Sequence, residues 1–376
     1  MFDKKVVLFA LFALIVIVAA CAPAPTATPV PKPTDAPKPA ATAVPPTAAA
    51  AKPTEAPKPT TAPTAATGLV PATKGGYPSK ALEIVAPAGA GGGWDTLART
   101  VQRALETEKL YPQPTTVVNK VGGGGGVGLA YIFTKKADDY ELVVYSPPLI
   151  INTLNKTFEN NYKELTPLAK LITDYQVILV KADSPYKTMA DLMAALKKDP
   201  GAVKFAGASS PGSMDHLAIA KLAKVAGIDP GKMSYVAFND VGSGLTALLG
   251  GNVGFMSTGV GEAIPQIEAK TVRALGVSSA ERRGGVMKDV PTWKESGWNV
   301  TYEVWRGIFG APGMSADAKA WWGETLKRMS ATKTWKDSLE KLQWVDAYAD
   351  SDSFAKFLAE EEVSYKDLMT STGFIK

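Results

Sequence analysis

The chain has 376 residues, 46% of them hydrophobic, with one cysteine and one histidine. A single cysteine excludes a disulfide framework and a thiolate metal cluster, and a single histidine leaves little for histidine-based metal or nucleophilic chemistry. The net charge of +5 is carried almost wholly by residues 1–75, with seven lysines and three acids; residues 76–376 hold 34 basic and 33 acidic side chains, without the clustered basic face that nucleic acid requires.

Lys4 and Lys5 precede an apolar stretch from Val6 to Val18, which closes on Val18-Ala19-Ala20-Cys21. These are the proportions of a secretory leader. Its ending is similar to a bacterial lipobox, where the cysteine becomes the lipidated first residue of the mature protein. Residues 1–21 therefore read as a lipoprotein signal peptide with Cys21 as the lipidation site. The protein is expected to be extracytoplasmic and lipid-anchored to the cell membrane, in the periplasm or on the outer face of the cytoplasmic membrane. Residues 22–75 are rich in Pro, Ala and Thr: fourteen of the 28 prolines fall in 1–75, and Ala-Pro-Lys-Pro recurs at 36–39 and 56–59. Such a composition buries too little apolar surface to fold and predicts an extended tether, reaching on the order of 150 Å at about 3.1 Å per residue.

About 300 residues remain, enough for two domains of ordinary size. Apolar runs predict strands at 82–86, 115–119, 141–145, 176–180, 203–206, 234–238, 253–256, 273–277 and 307–311. Helical spacing predicts helices at 95–107, 127–136, 188–198, 213–226, 243–250, 261–268, 316–330, 332–342 and 351–369. Thr188 reads as an N-cap and Gly227 as the residue that ends a helix. The alternation predicts an α/β fold with mainly parallel sheets.

Two loops carry the chemical information. Ala88-Gly89-Ala90-Gly91-Gly92-Gly93-Trp94-Asp95 lies between the first strand and a helix in which Leu97, Val101 and Leu105 share one face. Free N–H groups at a helix start, together with the helix dipole, favour an anion, and glycines let it approach the main chain. Gly92 is expected where ligand meets backbone, at a φ only glycine accepts. The second loop, Gly207-Ala208-Ser209-Ser210-Pro211-Gly212-Ser213-Met214-Asp215-His216, repeats the arrangement with three hydroxyls added. Two such loops facing each other would clamp a molecule with two or more carboxylates.

The series PAGAGGGWDTLAR, VVNKVGGGGGVGLAYI, DYELVVYSPPLIIN, KFAGASSPGSMDHLAIAKLAKVAGIDP, YVAFNDVGSGLTALLGGNV, STGVGEAIPQIEA, VRALGVSSAERR and YEVWRGIFGAPG closely resembles the substrate-binding proteins of tripartite tricarboxylate transporters, the TctC or Bug-like family, over essentially all of 77–376. The resemblance implies a two-domain periplasmic-binding fold of type II with a hinged interdomain cleft. The first domain would comprise 76–174 and 276–376, and the second 175–275. It places the first carboxylate loop on Gly91, Gly92, Gly93, Trp94 and Asp95, and the second on Ser209, Ser210, Pro211, Gly212, Ser213 and Asp215. Strand ends at the cleft fall on Ser146 and on Ser257, Thr258 and Gly259. It implies a monomeric receptor for a small carboxylate, without a cofactor, that hands its ligand to the membrane subunits of a transporter. The same fold delivering ligand state to a sensor kinase is an alternative that the residues do not separate.

Other motifs have plainer explanations. Gly123, Gly125 and Gly128 spell the dinucleotide pattern GxGxxG, with Asp139 or Glu141 near the position of a ribose acid. The run is over-rich in glycine, a nicotinamide cofactor is an odd tool outside the cytoplasm, and the family resemblance makes it a structural loop. A secreted hydrolase would have to use His216, yet Asp215 is its immediate neighbour on a helix and faces elsewhere, and no GxSxG elbow occurs. No enzyme is therefore expected. His216 reads as packing beside the second loop, with ligand contact as the alternative. Asp95 and Arg99 are spaced for an i,i+4 ion pair. Arg306, after Trp305 at a strand edge, suits either a third carboxylate or an interdomain pair. Trp321, Trp322, Trp335 and Trp344 read as packing residues.

Overall fold

The computed structural model describes residues 68–376; the leader, Cys21 and the tether to residue 67 lie outside the described residues. The first elements are β1 (Leu82–Ala86), α1 (Gly93–Thr107), β2 (Thr115–Asn119), α2 (Gly126–Thr134), β3 (Glu141–Tyr145), α3 (Pro148–Leu154) and the long strand β4 (Thr166–Lys181). Next come α4 (Met189–Lys198), β5 (Phe205–Gly207), α5 (Met214–Val225), β6 (Tyr235–Ala237), α6 (Val241–Leu249), β7 (Phe255–Gly259), α7 (Val260–Glu268) and β8 (Val272–Val277). The chain closes with β9 (Glu303–Gly310), α8 (Ala316–Ala331), α9 (Lys333–Leu342), β10 (Val345–Ala349) and α10 (Ser351–Ser371).

The sheet order is β2-β1-β3-β9-β4-β7-β5-β6, with β8 and β10 also paired to β4. β4 joins two halves. Its Thr166–Tyr175 stretch pairs with β9, and from Gln176 onward it pairs with β7 and β8. Most of its side chains are buried, so it reads as a continuous apolar run rather than an alternation. The return connection is fastened beside it: the Ser278 amide donates to the Gln176 carbonyl (2.8 Å), and the Tyr302 amide to the Ser278 carbonyl (3.1 Å).

Mainly parallel sheets were expected, and the sheet is mixed. β1 pairs in parallel with β2 and β3, and β5 with β6 and β7. Every pair made by β4 or β9 is antiparallel. β4 carries the chain from one half into the other and β9 follows the return connection, and both run against the βαβ units they border. Two elements escape the periodicity reading. α3 begins at Pro148 and buries its first five residues, leaving no polar face. β10 is short and half-buried except at the exposed Asp346.

Caps set the helix starts. Thr188 and Asp191 form a capping box on α4, and Gly227, at φ +73°, follows α5. Trp321, Trp322, Trp335 and Trp344 all belong to the core under α8 and α9. Residues 68–70, which read as tether, lie against α8. Val70 is buried, Trp321 Nε1 donates to its carbonyl (3.3 Å), and Arg328 Nη1 donates to the Gly68 carbonyl (3.0 Å). A chain starting at residue 76 should therefore be less stable than one starting at 68. One buried valine and the buried Trp321 hydrogen bond amount to about 2–3 kcal/mol, the exposed Arg328 bond adding little, and paired thermal melts would show this as a lower Tm. Equal melting temperatures would mean that the docked segment contributes nothing.

Candidate functional site

The β1–α1 and β5–α5 loops face one another across a cavity of about 240 Å³. On the first side, Gly91 takes a left-handed φ of +79° and its amide donates to Asp95 Oδ2 (2.9 Å). Asp95 also accepts from Arg99 Nε and Asn119 Nδ2. The carboxylate thus folds the loop back onto its own helix. Burial alone would raise its pKa, but these hydrogen bonds outweigh burial and hold it below the ordinary range. Gly92 is the N-cap and has no side chain to satisfy the first-turn donors, so the Gly93 and Trp94 amides are left for a ligand. Trp94 lies in the wall, its indole N–H donating to Ser146 Oγ (2.8 Å).

The second side uses the same device. Asp215 Oδ2 accepts from the Ala208 amide (2.8 Å), and the Asp215 amide donates to Ser209 Oγ (3.0 Å). Gln176 Nε2 donates to Asp215 Oδ1 (2.9 Å), while Gln176 Oε1 accepts from Ser257 Oγ (3.0 Å). Burial, reinforced by the nearby Glu262 charge, pushes the Asp215 carboxyl up to about 7. Near neutral pH it is therefore partly protonated, which weakens its repulsion of an incoming carboxylate.

Arg306 forms the floor. It is 1% exposed, and its Nη2 lies 3.1 Å from Asp174 Oδ2 and 3.3 Å from Glu262 Oε1. Trp344 Nε1 donates to Asp174 (3.1 Å). Burial raises the Asp174 carboxyl to about 6, against the lowering effect of Arg306. Arg306 Nη1 has no partner. It lies directly under the α1 start, where a Cβ on Gly93 would overlap the guanidinium.

Of the residues placed at the two loops, the strand ends and Arg306, Gly92, Gly93, Trp94, Ser146, Ser209, Ser210, Pro211, Asp215 and Arg306 line the cavity. The others stand behind it. Gly91 and Asp95 shape the first loop, Ser213 is the buried N-cap of α5, and Gly212 turns the second loop at φ +75°. Ser257 holds Gln176, while Thr258 Oγ1 and the Gly259 amide donate to Glu262 Oε2. His216 is also outside the wall: its Nδ1 accepts from the Gly212 amide (3.1 Å), and burial drives its pKa down to about 4.

One expectation about Gly92 is corrected. Its φ of −71° suits any residue, and the constraint is instead tight space, with the Gly89 carbonyl oxygen 3.2 Å from an added Cβ. The glycine run is corrected too. Gly122, Gly123, Gly124 and Gly125 line the cavity rather than serving only as a structural loop, and all four have positive φ. A Cβ on Gly124 would overlap Ser210 Oγ across the cleft. The acids considered for a ribose contact are occupied elsewhere, Asp139 at the α8 N-cap residue Ser315 and Glu141 with Lys135. Sequence reasoning missed Met214, Phe238, Asp240 and Glu262 in the wall. Glu262 had a readable signal, an acid three residues after the N-cap Gly259.

Two α/β halves joined through β4, with a cavity between facing helix starts, define a periplasmic binding protein of type II-like fold. The tripartite tricarboxylate transporter family receptor model matches residues 97–374, and the chain belongs to that family of receptors. A UPF0065 protein in the gbd 5′ region of Cupriavidus necator is 28% identical over 306 residues, 80% of this chain and 90% of that one. A TctC solute-binding protein from Polaromonas is 27% identical with a TM-score of 0.57, covering 78% of this chain and 99% of that one. MatC from Rhodopseudomonas palustris, solved with bound malate, shares the fold at 22% identity and a TM-score of 0.68, covering 78% of this chain and 99% of that one. Among the described residues no helix is long and apolar enough to cross a membrane.

The Asp215 pKa gives a signed prediction. A carboxyl raised from its ordinary 3.8 to about 7 on folding binds protons more tightly in the folded state. Its contribution is fully present below the unfolded pKa and is lost as pH rises through 7, on the order of a few kcal/mol. The stability of wild type relative to Asp215→Asn should therefore fall between pH 5 and pH 8. Thermal melts of both proteins across that range test it, and a difference that stays flat or rises contradicts it.

Proposed function

We propose that this receptor captures a small di- or tricarboxylate in the cleft, one carboxylate at the α1 start and another at the α5 start. The observation that carries the reading is the unpartnered Arg306 Nη1 at the cavity floor, beside the open first turn of α1. A buried guanidinium N–H without an acceptor is costly, and a carboxylate supplies the acceptor with charge assistance. Every carboxylate in the wall is already engaged: Asp215 by Gln176 and Ala208, Glu262 by Arg306, Thr258 and Gly259, and Asp240 by Ser243. The donor left without an acceptor in the floor belongs to a guanidinium. The malate bound by MatC is a ligand of this kind.

In this reading residues 76–174 with 276–376 form one domain and 175–275 the other, and ligand closes them by hinge motion about β4. Cys21 carries a lipid that anchors the monomer outside the cell membrane, the tether holds it off the surface, and the closed form delivers its carboxylate to the membrane subunits of a tripartite tricarboxylate transporter.

Calorimetry of the purified protein against citrate, malate, adipate, benzoate and lysine tests the reading. The polycarboxylates should bind and lysine should not; saturable binding of lysine alone would overturn it. Gly93→Ala places a methyl group where Arg306 now lies and should weaken polycarboxylate binding by more than tenfold. Ser210→Ala removes one hydroxyl and should cost about 0.5–3 kcal/mol. A folded Gly93→Ala protein, checked by circular dichroism, that binds like wild type would remove Arg306 and the α1 start from the site.

A further inference from the structure

The loop at the α5 start carries a glycine turn held through a single side chain, His216. Gly212 has φ +75°, and its amide is held by His216 Nδ1. Accepting that proton requires a neutral imidazole with its hydrogen on Nε2. The ring's placement therefore decides where Gly212 sits. One face of His216 stacks on Tyr235, with centroids 4.4 Å apart and 17° between planes, and the Tyr235 hydroxyl donates to the Ser209 carbonyl (2.6 Å). Phe205 meets the ring edge-on at 5.6 Å. A further contact comes from far away in the chain. Phe374, just past α10, meets the imidazole edge-on at 4.6 Å. The same ring closes on the turn itself, lying 3.2 Å from where a Gly212 Cβ would be.

α10 packs on α3 and β4, so Phe374 is delivered from the first half onto a loop of the second. The connection is tied down at both ends: the Phe374 amide donates to the Met369 carbonyl (2.9 Å), and Lys224 Nζ on α5 donates to the Ser371 carbonyl (2.9 Å). We infer that Phe374 is a positioning residue for the second anion loop, acting through His216 on Gly212, so that the segment after α10 straps the loop into its ligand-ready shape. Its effect on affinity rests on the reading of that loop as a carboxylate site; its effect on loop order does not.

Amide hydrogen exchange on the ligand-free full chain separates the two. Phe374→Ala should speed exchange across residues 208–213 about tenfold while residues 89–94 exchange as in wild type. Phe374→Tyr, which keeps the ring, should restore the wild-type rate. Malate or citrate affinity should fall about tenfold in Phe374→Ala and recover in Phe374→Tyr. Unchanged exchange at 208–213 in folded Phe374→Ala would overturn the inference, as would equal loosening of both loops. If Phe374→Ala does not fold, Phe374→Leu, which keeps apolar bulk but loses the ring edge, takes its place with the same outcomes. If the wild-type protein binds none of the carboxylates, the carboxylate reading fails while the exchange data still decide the strap.

Discussion

Arg306 lies where β9, β4 and α7 meet under the first turn of α1, and the rest of the site is arranged around it. Its guanidinium joins Asp174 from the crossing strand to Glu262 from the second half. Burying a charge this deeply costs several kcal/mol unless it is paired, and removing one partner of such a pair costs about 3–5 kcal/mol. The surroundings meet that demand from several directions. Trp344 holds Asp174, Thr258 and Gly259 hold Glu262, and glycine at 93 and 259 leaves the guanidinium the room it needs. One donor is left over, buried beneath the α1 start beside the cavity.

The two anion loops use one design with different parts. In each, an aspartate in the first helical turn turns back to accept an amide of its own loop, Gly91 for Asp95 and Ala208 for Asp215. This fixes loop shape without consuming the first-turn donors, so backbone geometry does the recognising. The electrostatic settings differ. Asp95 is paired with Arg99 and stays ionised, whereas Asp215 has only neutral donors and Glu262 nearby, so its carboxyl rises toward neutrality. A carboxylate entering between them meets one neutralised acid and one partly protonated one. Ordered water can bridge what the backbone does not reach.

Local patterns were the legible part of the sequence. Strand, glycines and a helix start marked both loops, and helical spacing marked α1, α4 and α5 close to their observed bounds. What could not be read depends on the chain meeting itself at long range. Arg306 and Asp174 are 132 positions apart, and nothing local shows that β9 pairs with β4. Gly92 was expected to need its glycine for φ, whereas crowding from the Gly89 carbonyl constrains it. The glycine run 122–126 gave no sign of facing Ser210, because only the fold brings them together. His216 was read as packing beside the second loop, but its partners Tyr235 and Phe374 are set by the fold and could not be read locally.

The central claim is that backbone amides at two facing helix starts, with Arg306 Nη1 between them, hold a carboxylate ligand. A crystal structure with the tightest-binding polycarboxylate tests it most directly. The account predicts carboxylate oxygens within hydrogen-bond distance of the Gly93 or Trp94 amide at one end and the α5 loop at the other, with Arg306 Nη1 on a carboxylate oxygen or on one water that bridges to it. A ligand seated in the cleft with neither helix start in contact, and with Arg306 Nη1 still without a partner, would contradict it.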